Sequence, residues 1–342
     1  MIALWDTTGT AVVKALAAER RNAGGVASGL ALTLVAGVDE SRVREAESAA
    51  ATAAAAHPCR IIIVVRGESP PPDSGPSESH MDAEIVVGGR LGPCEGVVLR
   101  MRGRLVHHAE SVVIPLLAPD VPVVTWWHGV APARIAYDPL GVVADRRITD
   151  SLQSPDPIAA LRQRAEDYAP GDTDLAWTRA TPWRSCLASA LDTASSPVVA
   201  ATIRTAPEDP TGVLLRGWLR ARLGIEPEVR PDGPLVQGVS LRLASGEELV
   251  VDRADGMATL RRGGLPDRTL PLPRRQLGDQ LAEELQISRT PIREALRELA
   301  GSGLIRILPQ RGIVVSDLSL QDVVEVYQLR EQLECFAVRL AA

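Results

Sequence analysis

Seven consecutive residues, Val121, Pro122, Val123, Val124, Thr125, Trp126 and Trp127, set the terms for the first half of this chain. The run is β-branched and aromatic, has no polar alternation and carries turn formers on both sides, so it reads as a strand buried on both faces. A polar shoulder follows at its carboxyl end: His128, Gly129, Asp138, Asp145, Arg146, Arg147 and Asp150. Open α/β sheets place their working surface at that end, an analogy drawn from fold alone.

The preceding segments supply the layers such a strand needs. Thr10 to Ala23 carries Val12, Val13, Leu16 and Ala17 at helical spacing, and Gly24 and Gly25 stop it. Leu30 to Val35 reads as a strand, Asp39 to Ala56 as an alanine-dominated helix, and Arg60 to Arg66 as a second strongly buried strand. Met81 to Val87 and Val97 to Met101 add strands, and Leu105 to Leu117 is helical until Pro115 and Pro119 close it. Alternating strand and helix favours an α/β layer over residues 1–150. Gly67 to His80, GESPPPDSGPSESH, has too little apolar surface to repay ordering and reads as a mobile loop.

Residues 151–272 change pattern. Pro155 to Asp192 is helical, with Leu175, Trp177, Trp183, Leu187 and Leu191 as buried anchors, and Val198 to Arg204 and Val213 to Leu223 give a strand and a helix. After Gly233 the period drops to two, with Val239, Leu241 and Leu243, then Leu249 to Val251, then Ala258 to Leu260, which is an antiparallel meander. The reading is an α+β second domain.

At 342 residues the chain has room for two domains and a small third. A net charge of −6 argues against the whole chain being a nucleic-acid binder, and a local basic patch stays open. No run reaches the ~18 apolar residues a membrane span needs, and the start, MIALWDTTGT, lacks a signal-peptide pattern, so no membrane partner and a cytoplasmic location are expected. Cys59, Cys94, Cys186 and Cys335 form no CxxC and read as buried thiols.

No chemistry-bearing constellation emerges from the first 272 residues. Gly88, Gly89 and Gly92 lack the Lys-Ser or Lys-Thr pair of a phosphate loop and read as a turn. His128 has no nucleophile motif to serve and is better explained as a hydrogen-bonded structural histidine. Asp172 and Asp174 lack the rest of a calcium loop, and a helix N-cap at Thr173 or Asp174 explains them more cheaply. Asp145, Arg146 and Arg147 suit a structural ion-pair network. An interaction protein is expected rather than an enzyme, with no cofactor, catalytic residue or metal site.

The segments WDTTGTAVVKALAAER, HPCRI, VGGRLGPCEGVVLR, HAESVVIPLLAPDVPVVTWWHG, DPLGVVADRRITD and YAPGDTDLAWTRATPWR resemble the glucose-6-phosphate dehydrogenase assembly protein family, OpcA, across about residues 1–285. The resemblance implies a non-enzymatic factor that binds glucose-6-phosphate dehydrogenase and promotes its active oligomer. It carries over no agreed site residues. Trp126, Trp127, His128, Arg146, Arg147, Asp172 and Trp177 are therefore candidates for partner surface or core, with core ahead for the two strand tryptophans.

The tail differs in kind. Leu277, Leu281, Ala282 and Leu285 give a helix one apolar face, Gln286 and Ile287 make a turn, and Arg289 to Ala300 forms the next helix. Ser288 caps that helix and Pro291 lies in its first turn. Arg289, Arg293 and Arg297 share one face, and seven arginines stand against five carboxylates between Arg274 and Gly312. A hairpin, LIRILPQRGIVV, follows, so residues 277–316 read as a C-terminal winged helix-turn-helix. LAEELQISRTPIREALRELAGSGLIRILPQRGIVVSDLS resembles the DNA-binding domain of GntR-family regulators. That likeness implies double-stranded DNA contact through Ser288, Arg289, Thr290, Arg293 and Arg297, with Arg311 and Gly312 at the wing tip. Residues 317–342 match only the first helix of the family's effector domain, which usually makes the dimer, so binding is expected to be weak unless two tails are paired. The rival to the assembly reading is a GntR-type regulator whose N-terminal part senses a ligand or a protein.

Overall fold

The computed structural model describes residues 2–22, 30–67, 79–87, 94–192, 194, 196–254, 257–262, 267–271, 280, 285, 305–308 and 312–315. They fall into two compact units, Met1–Leu285 and Gln286–Ala342.

The first unit opens with β1 (Ile2–Leu4), α1 (Gly9–Asn22), β2 (Leu32–Val38), α2 (Val43–Ala56), β3 (Cys59–Arg66), β4 (His80–Val87) and β5 (Glu95–Arg102). It continues through α3 (Ala109–Val113), β6 (Val123–His128), β7 (Arg146–Thr149), α4 (Pro157–Glu166) and β8 (Asp172–Asp174). Eight strands form one sheet in the order β1-β4-β5-β3-β2-β6-β7-β8. The six from β5 to β8 in that order run parallel, while β4 is antiparallel to β5 and β1 to β4. Numbered by their sequence, the parallel strands stand 3-2-1-4-5-6, the doubly wound order. Of the seven-residue run, Val123 to Trp127 lie in β6, which continues through His128 and is buried at every position, while Val121 and Pro122 precede it half-buried. The strand pairs with β2 from Thr33↔Val123 to Val38↔His128.

One face packs β2, β3 and β6 against the alanine stripe Ala46, Ala49, Ala50, Ala53 and Ala54 of α2. The other takes Val12 and Leu16 of α1 and Ala109, Val112 and Val113 of α3. Alanines let α2 approach closely, and Gly37 does the same for Trp127: a Cβ there would sit 3.0 Å from the indole Cδ1.

The remaining elements of the unit are α5 (Leu175–Leu191), β9 (Val198–Thr205), α6 (Pro210–Leu223), β10 (Glu228–Pro231), β11 (Gly238–Leu243), β12 (Glu248–Ala254), β13 (Met257–Arg262) and β14 (Arg268–Pro271). Their sheet runs β10-β9-β11-β12-β13-β14. The expected meander is β11 to β13, to which β14 adds a fourth strand, and its inward side chains meet Trp183 and Leu187 of α5 and Leu215 and Leu219 of α6. Aspartates cap the three helices α4, α5 and α6: Asp156 accepts from Ala159 N, Asp174 from Ala176 N and Asp209 from Thr211 N. Each such cap is worth about 0.5–2 kcal/mol.

Several elements depart from the sequence reading. Arg146–Thr149 is a strand rather than loose shoulder, and Asp172–Asp174 is the edge strand beyond it, so the α/β sheet reaches past Asp150. His80 belongs to β4, paired with Arg102, rather than to a loop; residues 68–78 lie outside the described residues. Leu105–Leu117 divides into a 3-10 turn, the short α3 and a second 3-10 turn around Pro115. Trp177 is no buried anchor: it is 37% exposed, with the Arg184 guanidinium 3.6 Å over its ring. Leu285, assigned from sequence to the helix-turn-helix, is buried in the core cluster of α2, β2 and β3. In the second unit, β15 (Ile305–Leu308) and β16 (Gly312–Val315) form the expected antiparallel hairpin, from Ile305↔Val315 to Leu308↔Gly312.

Candidate functional site at the carboxyl ends of the parallel strands

In the doubly wound order, the crevice lies where chain direction switches, between the carboxyl ends of β2 and β6. Here side chains close it. The turn after β2 is Asp39, Glu40, Ser41 and Arg42, with no glycine. Arg42 Nη1 donates to Gln153 Oε1 at 2.7 Å, beyond β7. Its side chain passes Gly129, whose φ of +114° is what calls for glycine there. His128 is fully enclosed, with Nε2 2.9 Å from Glu45 Oε2 and its ring tilted on Trp126 at 5.0 Å. The ring is buried as a structural histidine would be, though neither nitrogen makes a hydrogen bond, in contrast to the expected hydrogen-bonded one.

The connection from β6 to β7 is tied down by Asp138. Its carboxylate takes Arg66 in two hydrogen bonds of 2.5 and 2.8 Å and accepts from Leu140 N. Thr125 Oγ1 donates to Leu140 O from the strand below. Beyond β7, Asp150 holds Arg179 through bonds of 2.5 and 2.7 Å, with the carboxylate 1% exposed. Next to it, Asp174 Oδ2 accepts from Thr149 Oγ1, Ser151 N and Ser151 Oγ at 2.7–2.9 Å. Burial pushes the Asp174 carboxyl above the usual carboxylate range, against hydrogen bonds that pull it down.

Between these loops and α4 lies a cavity of about 200 Å³, lined by Gly129 to Ala131, Thr149 to Ser151, Ser154, Asp156 and, from α4, Gln163 and Arg164. Val130 in its lining is exposed, as are Tyr137 on the β6–β7 connection and Tyr168 just past α4. Arg134 lies 4.0 Å over the Tyr137 ring and 3.7 Å from Asp167.

The sequence candidates sort as follows. Trp126 and Trp127 are core. Arg147 is buried, donating to Asp172 Oδ1 at 2.5 Å and to the carbonyls of Ala144 and Pro170; Asp172 also accepts from Ala169 N. That pair clamps β7 to β8. Arg146 is half-buried and engaged. Arg66, Arg164 and Arg179 were not legible, since their partners stand 72, 31 and 29 residues away. Among the described residues, no group of three or more His, Cys, Asp or Glu is placed to hold a metal, and no helix is long and apolar enough to cross a membrane. Cys59, Cys94 and Cys186 are buried free thiols; Cys335 lies outside the described residues, as do Gly88, Gly89 and Gly92. Of the DNA candidates, Ser288, Arg289, Thr290, Arg293, Arg297 and Arg311 also lie outside them, and Gly312 opens β16.

Residues 50–166 match the family model described as the glucose-6-phosphate dehydrogenase subunit N-terminal domain, and residues 170–293 match its C-terminal domain. The chain belongs to the glucose-6-phosphate dehydrogenase assembly protein family. Overlapping the end of the second half, residues 272–315 match bacterial regulatory proteins of the gntR family. An assembly-family relative, the putative OxPP cycle protein OpcA of Synechocystis, is 28% identical over 43% of this chain and 32% of its own length. Over the tail, an uncharacterised HTH-type transcriptional regulator of Agrobacterium vitis is 44% identical across 18% of this chain and 37% of that one. The repressor RspR of Escherichia coli is 40% identical over 18% of this chain and 28% of its own. The chain thus spans about a third of the curated relatives it matches. A solved 3-ketoreductase, KijD10 of Actinomadura kijaniata, covers 80% of this chain and 90% of its own at 13% identity and TM-score 0.40, a likeness too low to bear on function.

Proposed function

We propose that the Met1–Leu285 unit is a non-enzymatic, cytoplasmic partner of glucose-6-phosphate dehydrogenase that promotes the enzyme's active oligomer. The observation that carries this reading is that both halves of the assembly family run head to tail through residues 50–293, across both sheets of one compact unit. The exposed Arg134, Tyr137 and Tyr168 are of the arginine and aromatic types that partner contacts favour. Mixing the full chain with the dehydrogenase should raise its activity and shift it to a larger species in size-exclusion chromatography. A folded chain that neither binds the enzyme nor changes its activity would overturn the proposal.

A second reading rests on the hairpin β15–β16 and the gntR match: the tail binds double-stranded DNA through Ser288, Arg289, Thr290, Arg293 and Arg297, with Arg311 and Gly312 at the wing. Residues 277–316 would be the DNA-binding module and 317–342 the start of a dimerising one, with the larger unit acting as sensor. Retention of a labelled duplex by the full chain at low salt, lost on deleting residues 277–342, tests it.

A further inference from the structure

Helix α5, LAWTRATPWRSCLASAL, carries two arginines and no carboxylate. Arg179 is paired, because Asp150 reaches it from the end of β7. Burial lowers the Arg179 pKa, and the Asp150 carboxylate more than offsets that, so the pKa ends raised. Arg184 has no such partner. The residues three and four positions away on the helix are Ala180, Thr181, Leu187 and Ala188, none of which can carry a counter-charge. Burial lowers its pKa with no carboxylate pulling the other way.

The Arg184 side chain does not extend into solvent as an unpaired surface arginine can. It turns back toward the helix N-terminus, past Thr181 and onto Trp177 two turns before it, with Cζ 3.6 Å from the ring centroid. Nη2 donates to Thr181 Oγ1 at 2.7 Å and Nε is enclosed without a partner, while Nη1, with no hydrogen bond among the described residues, reaches solvent. Trp177 stays 37% exposed although the guanidinium lies on it. A hydrogen bond and a cation–π contact thus hold the pair in one geometry, and little rotamer freedom is left to lose on binding. Ser185, Ala188 and Ser189, next on the helix, are small and exposed, so no long side chain of α5 stands over the pair from that side.

A fixed Trp–Arg pair with an open guanidinium edge among small side chains has the composition of an interface hot spot, and the group that completes it is an anionic acceptor. The stripe of Trp177, Thr181, Arg184 and Ala188 holds one cation, whereas a duplex is bound through several phosphate contacts. A protein carboxylate suits it better.

We propose that the Trp177–Arg184 stack is a docking point for an acidic segment of glucose-6-phosphate dehydrogenase. A carboxylate of the segment accepts from Arg184 Nη1, and an apolar side chain beside it covers the open part of the Trp177 ring. The inference rests on the dehydrogenase reading and adds to it the surface and the charge of the contact.

Titration of the full chain against the purified dehydrogenase over a salt series, read by biolayer interferometry, tests it. Arg184→Gln and Trp177→Ala should each raise Kd at least about tenfold, and Arg184→Lys should fall between Arg184→Gln and wild type, because it keeps the charge without the planar stack. Wild-type binding should weaken as salt rises, and Arg184→Gln should flatten that dependence. Arg216→Gln, on α6, removes an exposed arginine that already has Glu226 and should bind as wild type does. Thermal melts confirm that each variant is folded. Undiminished binding in folded Arg184→Gln or Trp177→Ala, an equal loss in Arg216→Gln, or a salt dependence unchanged in Arg184→Gln would overturn the docking point and leave the dehydrogenase reading standing. A folded wild type that does not bind the dehydrogenase would overturn both.

Discussion

Leu285→Ala decides which module owns the segment that joins the two units. The leucine is 1% exposed and lies in the cluster built by α2, β2, β3 and β6. Truncation removes three carbons at about 0.8 kcal/mol each, about 2.4 kcal/mol of transfer free energy. A residual cavity adds to this, giving about 2–5 kcal/mol in all, depending on how far the surrounding alanines and valines close in. Urea unfolding followed by tryptophan emission reads this unit, because Trp126, Trp127 and Trp183 are all buried in it. The midpoint should fall for the variant at unchanged slope. A fragment ending at residue 285 should exceed one ending at residue 272 in stability by at least as much. If Leu285→Ala costs less than about 0.5 kcal/mol, the leucine is not part of this core and the unit ends earlier.

Three further outcomes are expected. Asp150→Asn leaves Arg179 buried without its counter-charge and should cost about 3–5 kcal/mol, while Asp150→Asn with Arg179→Met should recover part of it; a cost near zero would mean the pair is solvated. Because the Asp174 carboxyl is raised, its contribution is intact below the unfolded value near pH 3.9 and is lost as pH rises through the folded value. The stability advantage of the wild type over Asp174→Asn should therefore shrink with rising pH in a denaturation series, and the opposite slope would refute the assignment. On DNA, Arg293→Ala should cost about 1–3 kcal/mol of specific binding, whereas Arg297→Ala should weaken all sequences alike and flatten the salt slope by about 0.9 per phosphate lost. Fluorescence anisotropy of labelled duplexes across a salt series separates the two, and equal, salt-independent signals from wild type and both variants would deny the tail a DNA function.

What could be read in advance follows from where the information resides. β3 and β6 are continuous apolar runs, and β11 to β13 alternate with period two, so burial wrote them into local sequence. β7, β8 and β10 are three or four residues long and rich in charge: RRIT, DTD and EVRP. Strands at or near a sheet edge carry charge because one side stays open, and only their neighbours make them strands. Trp177 stands two residues after the buried Leu175 and six before Trp183, spacings that put it on another face of α5, where Arg184 covers its ring. The rim was partly visible, since Asp138 and Asp150 stand in the polar shoulder after β6. Their arginines come from β3 and α5, and only the folded sheet brings them together.

The doubly wound sheet keeps the geometry that dinucleotide folds use and replaces its chemistry. A pyrophosphate at the switch point needs backbone N–H groups from a glycine turn and the open N-terminus of the helix after the first strand. In this chain that turn is Asp39, Glu40, Ser41 and Arg42, two of them acidic. Arg42 is committed across the crevice to Gln153, and Glu45 in the first turn of α2 lies 2.9 Å from His128 Nε2. Two further buried pairs, Arg66 with Asp138 and Arg179 with Asp150, fix the loops that in an enzyme would have to open around a substrate. At this end the sheet presents exposed Tyr137 and Tyr168, and a small cavity lined in part by Arg164.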